Sequence, residues 1–157
     1  MPVVEMEEKT ITLLAVDDDP MVLKLIEASL AREPYRMLFA PDGETGLRMA
    51  IENKPDLIVL DVVMPGMDGF EFCMQARKNP VLKNTPIIML TALDDRDSKI
   101  QGLEAGADDY ICKPFDKIEF RARIRTITRL TQNFLTEINT LKQTVESLQQ
   151  ELAQFKK

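Results

Sequence analysis

Five short apolar runs alternate along the chain with five segments in which apolar residues recur at helical spacing. The runs predict β-strands, and the segments between them predict α-helices. The run Leu57–Leu60 contains no polar residue, which is typical of a strand buried on both faces of a parallel sheet. The predicted strands cover residues 11–16, 35–40, 57–60, 86–90 and 108–112. The predicted helices begin near residues 19, 43, 67, 95 and 116.

This alternation predicts an α/β fold with a doubly wound parallel sheet. Parallel neighbours need crossover connections, which are usually helical and right-handed. We therefore expect five strands with helices on both faces, and the strand order 2-1-3-4-5 is the expectation for this fold class. Inward-facing positions in the second and third helices are expected to include Leu47, Ala50, Ile51, Phe70, Cys73, Met74 and Arg77.

Polar side chains follow four of the predicted strands at the point where each strand ends. They are Asp17 and Asp18 after the first strand, Asp61 after the third, Thr91 after the fourth and Lys113 after the fifth. In an open α/β sheet, ligands bind at the carboxyl edge of the strands, where these ends meet. We therefore expect three carboxylates, one hydroxyl and one ammonium to line a single pocket.

Such a site suits a divalent cation and a phosphoryl group. Crowded carboxylates raise one another's pKa, and a hard cation such as Mg²⁺ relieves their repulsion in an all-oxygen site. A carboxylate at Asp61 is a nucleophile of the aspartyl-phosphate type. Thr91 has a hydroxyl that can donate to one phosphoryl oxygen, and Lys113 has an ammonium that can pair with another.

Composition excludes several other classes of protein. The 157 residues carry a net charge of −6, which leaves no general basic surface for nucleic acid. No apolar stretch approaches the length of a membrane span, and the acidic N-terminus has no apolar signal core. With only Cys73 and Cys112, both expected to be reduced and buried, we expect a cytoplasmic protein. The absence of histidine removes His-based catalysis, His metal ligands and a phosphohistidine on this chain.

Four segments resemble, in the same order, the receiver domain of bacterial two-component response regulators. The similarity extends over about residues 11–130 and implies a flavodoxin-like fold. The segments that carry it are residues 15–20 (AVDDDP), 60–69 (LDVVMPGMDG), 90–92 (LTA) and 110–115 (YICKPF).

The resemblance implies a role for each matching residue. Asp61 is expected to be the phosphoacceptor, with a histidine kinase or phosphotransfer protein as the donor. Asp18 is implied to ligate Mg²⁺ directly and Asp17 partly through water, with the backbone carbonyl of Val63 as a further ligand. Thr91 is implied to be the switch hydroxyl and Tyr110 the aromatic rotamer switch. The peptide bond between Lys113 and Pro114 is implied to be cis.

Some of these residues have simpler interpretations. Asp19 and Asp68 are better read as helix N-caps than as ligands. Tyr110 also fits a half-buried aromatic with no switching role. Val63 is apolar and cannot hydrogen-bond a water that attacks the aspartyl phosphate, so we expect slow intrinsic dephosphorylation.

Two competing functions remain open beside the phosphoacceptor. A phosphatase of the haloacid dehalogenase type also forms an aspartyl phosphate, but it needs an acid two residues after the nucleophile, where this chain has Val63. A non-phosphorylated assembly module is the alternative function, and the complete set of acidic residues argues against it. We expect a phosphoacceptor, not an enzyme, although the activity of any output domain is open.

The remaining residues, 131–157, contain neither glycine nor proline and carry a heptad pattern. β-branched residues at a with leucine at d favour a parallel two-stranded coiled coil, and the pairs Glu137–Lys142 and Glu151–Lys156 fit g–e′ contacts. The alternative is one amphipathic helix folded back on its own domain. The apolar seam consists of Ile138, Val145 and Leu152 at a and Phe134, Leu141, Leu148 and Phe155 at d.

The predicted organisation has three parts. Residues 1–10 form a flexible N-terminus, 11–130 the receiver domain, and 131–157 a helical stalk that continues the last helix without a break. We expect a homodimer through residues 124–155, no contact with nucleic acid or membrane, and a signal that passes through the stalk to an output domain or partner. No helix-turn-helix, cyclase or kinase motif is recognisable in the chain.

Overall fold

The strands lie in one parallel sheet in the order β2-β1-β3-β4-β5, which confirms the predicted fold class and strand order. The structure is a computed structural model that describes residues 10–156. The N-terminal part, residues 1–9, lies outside the described residues, and with it most of the predicted flexible segment. The elements are β1 Ile11–Val16, α1 Pro20–Ser29, β2 Tyr35–Ala40, α2 Gly43–Asn53, β3 Leu57–Leu60, α3 Gly69–Lys78, β4 Ile87–Thr91, α4 Arg96–Ala105, β5 Asp109–Cys112 and α5 Lys117–Phe155.

The register of the sheet brings the strand ends level with one another. Val16 at the end of β1 pairs with Leu60 at the end of β3, and Leu60 pairs with Met89 near the end of β4. Thr91 at the end of β4 pairs with Cys112 at the end of β5. The residues that follow β1, β3 and β5 therefore emerge along one edge of the sheet.

The core lies on both faces of the three central strands. All four residues of β3 are buried, as the unbroken apolar run predicts. Two predicted inward positions are wrong, because Ile51 is 36% exposed and Met74 is 48% exposed. The inward face of α3 is centred instead on Phe72, Cys73 and Ala76, with Phe70 also buried.

An aspartate precedes each of the five helices, and at the start of α5 Asp116 accepts from the Ile118 and Glu119 amides at 2.8 and 3.0 Å. Asp19 accepts a hydrogen bond from the Met21 backbone at 2.9 Å, and Asp68 accepts one from Glu71 at 2.8 Å, which confirms both predicted N-caps. Because Asp68 is the cap, α3 begins at Gly69 and not at Met67 as predicted. Asp42 and Asp95 have the same role in α2 and α4.

Two compact units make up the chain, one that ends at Ala122 and one that begins at Arg123. The helix α5 is continuous from Lys117 to Phe155, which confirms the predicted unbroken continuation. Within residues 10–156, no helix is both long enough and apolar enough to cross a membrane. In the second unit, large apolar side chains stand exposed at Phe134, Leu141, Val145, Leu148, Leu152 and Phe155.

Candidate functional site

Asp17 and Asp18 stand at the carboxyl end of β1 and differ in exposure. Asp17 is only 2% exposed, and its backbone amide donates to the Ala40 carbonyl at 3.2 Å. Its carboxylate accepts a hydrogen bond at Oδ1 from the Asp19 amide at 2.9 Å. Asp18 is exposed, so it is the member of the pair that solvent reaches most easily.

Asp61 stands at the carboxyl end of β3 and is 6% exposed. Its backbone amide donates to the Val16 carbonyl at 3.0 Å, which ties it to the neighbouring strand. Its Oδ1 accepts from the Val63 amide at 3.3 Å. The following loop folds back so closely that a Cβ on Gly69 would lie 2.4 Å from the Asp61 carbonyl oxygen. Glycine at this position is therefore required for the loop that shapes the site.

Lys113 joins the two buried carboxylates. Its Nζ donates to Asp17 Oδ2 at 2.7 Å and to Asp61 Oδ2 at 3.1 Å. Its backbone amide donates to the Thr91 carbonyl at 2.8 Å, and the Lys113–Pro114 peptide bond is cis. One side chain from the end of β5 thus contacts the ends of β1 and β3.

For both Asp17 and Lys113, burial and the contacts with oppositely charged groups shift the side-chain pKa in opposite directions. Burial raises the pKa of the Asp17 carboxyl above its usual value, although the hydrogen bond from Lys113 lowers it in part. Burial alone lowers the pKa of Lys113, but the hydrogen bond to Asp17 and the charges of Asp61 and Asp17 together raise it. Lys113 therefore stays charged at neutral pH.

The carboxylates meet the spacing requirement of a shared cation. Asp17, Asp18 and Asp61 each offer an oxygen, and these oxygens lie within 4.8 Å of one another. One ammonium does not neutralise three carboxylates, so the cluster keeps an excess of negative charge. Oxygen ligands and negative charge are what Mg²⁺ requires of a protein site.

Thr91 and Tyr110 are linked through a single residue, Leu93. Thr91 is fully buried, and its Oγ1 accepts from the Leu93 amide at 3.4 Å. The Tyr110 hydroxyl donates to the Leu93 carbonyl at 2.6 Å. Burial, followed by the nearby thiol Cys112 and acidic residues, raises the pKa of the phenol to about 12, so it remains a donor.

The structure thus brings Asp17, Asp18, Asp61 and Lys113 together, and it links Thr91 with Tyr110. The roles assigned to these side chains and to the Val63 carbonyl stay predictions. Cys73 is buried, as expected, but Cys112 is only half-buried because it lies on the edge strand β5. Sequence reasoning missed Leu93, since an apolar residue after a strand carries no chemical signal.

Comparison with known proteins agrees with this geometry. The sequence model of the response regulator receiver domain matches residues 13–125. Response regulator PleD of Caulobacter vibrioides is 46% identical over 117 residues, which are 74% of this chain and 26% of PleD. The alkaline phosphatase synthesis transcriptional regulatory protein PhoP of Bacillus subtilis is 45% identical over 120 residues, which are 76% of this chain and 49% of PhoP. The chain therefore spans between a quarter and a half of the length of these relatives.

Solved structures share the fold and much of the sequence. A putative response regulator from Chloroflexus aurantiacus superposes with a TM-score of 0.73 and 42% identity, over 77% of this chain and 99% of that one. The chemotaxis protein CheY4 of Vibrio cholerae gives a TM-score of 0.71 and 32% identity, over 76% and 99%. Because the matched region covers most of the chain and contains the carboxylate cluster, the chain belongs to the response regulator receiver domain family.

Proposed function

We propose that the chain is a phosphorylatable receiver in a two-component phosphorelay, in which Asp61 accepts a phosphoryl group in a Mg²⁺-dependent reaction. The observation that carries this proposal is the buried Asp61 carboxylate, held 3.1 Å from the Lys113 ammonium beside two further carboxylates. A carboxylate placed in this way is oriented for attack and is surrounded by groups that bind a phosphoryl group and a cation.

The residues at this edge of the sheet fit the cation that the family implies. Asp18 and Asp61 would hold Mg²⁺ directly, Asp17 partly through water, and the Val63 carbonyl would complete the protein ligands. The bound cation would offset the charge of the carboxylates and of the incoming phosphoryl group. The close approach of oxygens from Asp17, Asp18 and Asp61, within 4.8 Å, supports this assignment.

The transfer itself needs a donor outside this stretch of chain, because its 157 residues contain no histidine. A histidine kinase or phosphotransfer protein would present a phosphohistidine. An Asp61 carboxylate oxygen attacks phosphorus, the new P–O bond forms as the P–N bond breaks, and the electron pair returns to the donor imidazole. Lys113 and Thr91 each contact one phosphoryl oxygen, the first as a cation and the second as a hydroxyl donor.

Phosphorylation is then communicated from Thr91 to Tyr110. Both side chains bond to Leu93, so a new hydrogen bond from Thr91 to a phosphoryl oxygen changes the loop that Tyr110 holds. The two conformations of this region must lie close in energy, because the added contacts only shift an existing equilibrium.

We also propose that residues 11–130 form the receiver domain and that the continuation from 131 is a stalk. Of the predicted span 124–155, the part from Phe134 onward would pair with a second copy as a parallel coiled coil, because Ile124 and Thr128 are already buried in the single chain. The seam residues Leu141, Leu148 and Leu152 are 57–64% exposed, and Phe155 is 89% exposed. A continuous apolar seam on one helix is stabilised when a second helix covers it. The stalk would pass the signal to an output domain or a partner.

Incubation with acetyl phosphate and Mg²⁺, followed by intact mass, tests the phosphoacceptor role. We expect one added phosphoryl group on the wild-type chain, no addition without Mg²⁺, and no addition to Asp61→Asn. Asp68→Asn provides a matched control, because Asp68 is an exposed N-cap outside the carboxylate cluster and asparagine also caps helices. An unmodified wild-type chain that still dimerises would favour the assembly module.

A further inference from the structure

Only one residue of α4 is buried, and it is a glycine. Gly102 is the buried residue of α4. The two large apolar side chains of α4, Ile100 and Leu103, are 41% and 51% exposed. Few buried apolar contacts mean that a displacement of this helix costs little. The contact at Gly102 is therefore one of the few that hold α4 against the sheet, beside that of the half-buried Ala105.

At Gly102 the helix backbone lies against two side chains, Met89 of β4 and Tyr110 of β5. A Cβ built there would lie 2.8 Å from the Met89 sulfur and 3.0 and 3.1 Å from Cδ2 and Cε2 of the Tyr110 ring. These distances are shorter than van der Waals contact, so a methyl group at 102 requires its neighbours or α4 to move. The Tyr110 ring thus occupies the space that the missing side chain leaves.

The other end of the Tyr110 side chain leads back to the carboxylate site. Its hydroxyl donates to the Leu93 carbonyl at 2.6 Å, and the Leu93 amide donates to Thr91 Oγ1 at 3.4 Å. The ring is therefore held between Gly102 on one side and the loop next to Thr91 on the other. These two hydrogen bonds are the route by which a change in volume at residue 102 would reach Thr91.

Arg77 on α3 is hydrogen-bonded to the C-terminal end of α4. Its Nε and Nη2 donate to the Gly106 carbonyl at 2.9 and 2.6 Å, and Nη1 donates to the Thr85 carbonyl at 2.7 Å. Gly106 is the C-cap of α4, with φ of 113°. The first turn, in contrast, is capped from within its own segment by Asp95, which bonds Ser98. A displacement caused at residue 102 is therefore taken up at Met89, at Tyr110 or at the N-terminal end of α4.

We propose that Gly102 is a positioning residue for Tyr110, and that the absence of a side chain at 102 sets the conformation of the Tyr110 ring. The proposal deepens the assigned function, because it rests on Tyr110 and Thr91 as the elements that respond to phosphorylation. A methyl group at residue 102 displaces the ring from this position before any phosphoryl group arrives.

Fluorine NMR of the full chain labelled with 3-fluorotyrosine provides a direct test, since Tyr35 and Tyr110 are the two tyrosines. Tyr35→Phe assigns the Tyr110 resonance. We expect Gly102→Ala to shift this resonance and to reduce its change on addition of Mg²⁺ with beryllofluoride. Gln101→Ala, at an exposed neighbour on the same helix, should leave both unchanged. A Tyr110 resonance in Gly102→Ala that matches the wild type, before and after beryllofluoride, would overturn the proposal.

The rate of phosphorylation by acetyl phosphate provides a second readout. Residues in contact are energetically coupled, so Gly102→Ala should change the rate at least roughly twofold, and the change should disappear in a Tyr110→Leu background. An equal effect in both backgrounds would contradict the role of the ring. If Gly102→Ala does not fold, Gly102→Ala with Tyr110→Leu replaces the crowded ring by a smaller side chain, and recovery of a cooperative urea unfolding transition is expected; a double variant that still does not fold would contradict the role of the ring. A wild-type chain that takes up no phosphoryl group disproves the assigned function, whereas an unshifted Tyr110 resonance disproves only the role of Gly102.

Discussion

The Lys113 ammonium lies 2.7 Å from an Asp17 carboxylate oxygen, closer than the 3.1 Å that separates it from Asp61. The lysine therefore compensates the charge of Asp17 at least as closely as that of Asp61, the proposed phosphoacceptor. A phosphoryl group on Asp61 would offer Lys113 a partner of higher charge. The same ammonium thus stabilises the unmodified site and has a contact to make with the modified one.

Replacement of Lys113 by methionine should make the stability of the domain depend strongly on Mg²⁺. The change leaves two buried carboxylates without their shared donor, which costs about 1–3 kcal/mol in the free energy of unfolding. A divalent cation compensates the same carboxylates, so Mg²⁺ should restore more stability to Lys113→Met than to the wild type. Urea unfolding with and without Mg²⁺ measures both effects.

Lys99→Met is the matched control for this experiment, because Lys99 lies exposed on α4. It should unfold like the wild type in either buffer. Equal stabilisation of all three proteins by Mg²⁺ would mean that Lys113 and the cation do not compensate the same charges.

Substitution of Val63 should change the lifetime of the phosphorylated state. Val63 is 56% exposed, so water reaches its side chain. Its backbone amide contacts Asp61, so the residue lies beside the carboxylate that would carry the phosphoryl group. In Val63→Asn the amide can orient that water, and we expect dephosphorylation to be roughly tenfold faster. This increase is smaller than the rate enhancement that a positioned acid or base usually gives. Decay of the phosphorylated mass over time measures the rate.

Val63→Leu keeps the apolar character of the position and should decay at the wild-type rate. A wild-type half-life as short as that of Val63→Asn would show that the residue does not limit access of water.

Local sequence signals are enough to predict the sheet and the cluster at its edge. The unbroken run Leu57–Leu60 indicates a buried parallel strand, and parallel strands in register bring Asp17, Asp61 and Lys113 together whatever the details of packing. The caps at Asp19 and Asp68 follow from short motifs that need no tertiary information.

Relationships between helices could not be predicted in this way. The bonds from Arg77 to Gly106 and Thr85 depend on how α3, α4 and the intervening loop are placed, and sequence analysis assigned Arg77 only to a helix face. The approach of Gly102 to Tyr110 depends on side-chain volumes in three elements. The exposure of Ile51 has the same origin, because helical spacing defines a stripe but not how far the sheet covers it.

The proposed coiled coil predicts that a charge in the seam abolishes the dimer. Leu148 is at a d position and is 59% exposed in the single chain. Leu148→Asp would therefore bury a carboxylate on each of the two paired helices. We expect a monomer by light scattering and a loss of helical circular dichroism, because most helical stability comes from packing of an apolar face, which the monomer leaves in water.

Gln150 lies at an f position, on the outer face of the proposed coil, and Gln150→Glu should remain dimeric. A wild-type chain that is monomeric at micromolar concentration, or a Leu148→Asp variant that is dimeric, would contradict the seam. Both variants should still take up one phosphoryl group from acetyl phosphate, because the carboxylate cluster lies within the first unit.

The N-cap of α2 should contribute stability that depends on pH in a defined direction. Asp42 accepts from the Thr45 amide at 2.8 Å and from its hydroxyl at 3.0 Å, and these bonds lower the pKa of the Asp42 carboxyl below the usual 3.8. Since the folded state holds the carboxylate more strongly than the unfolded chain does, the stabilisation is complete above pH 3.8 and is lost as the pH falls through the lower, folded value. Asp42→Ala should therefore lower the free energy of unfolding by about 1 kcal/mol at pH 7 and by less below pH 3.

Asp42→Asn keeps a capping oxygen that does not titrate, so its stability relative to Asp42→Ala should not change with pH. Urea unfolding of the three proteins at pH 7 and pH 3 measures these differences, and a cost for Asp42→Ala that is the same at both pH values would show that the charge of Asp42 does not contribute to the cap.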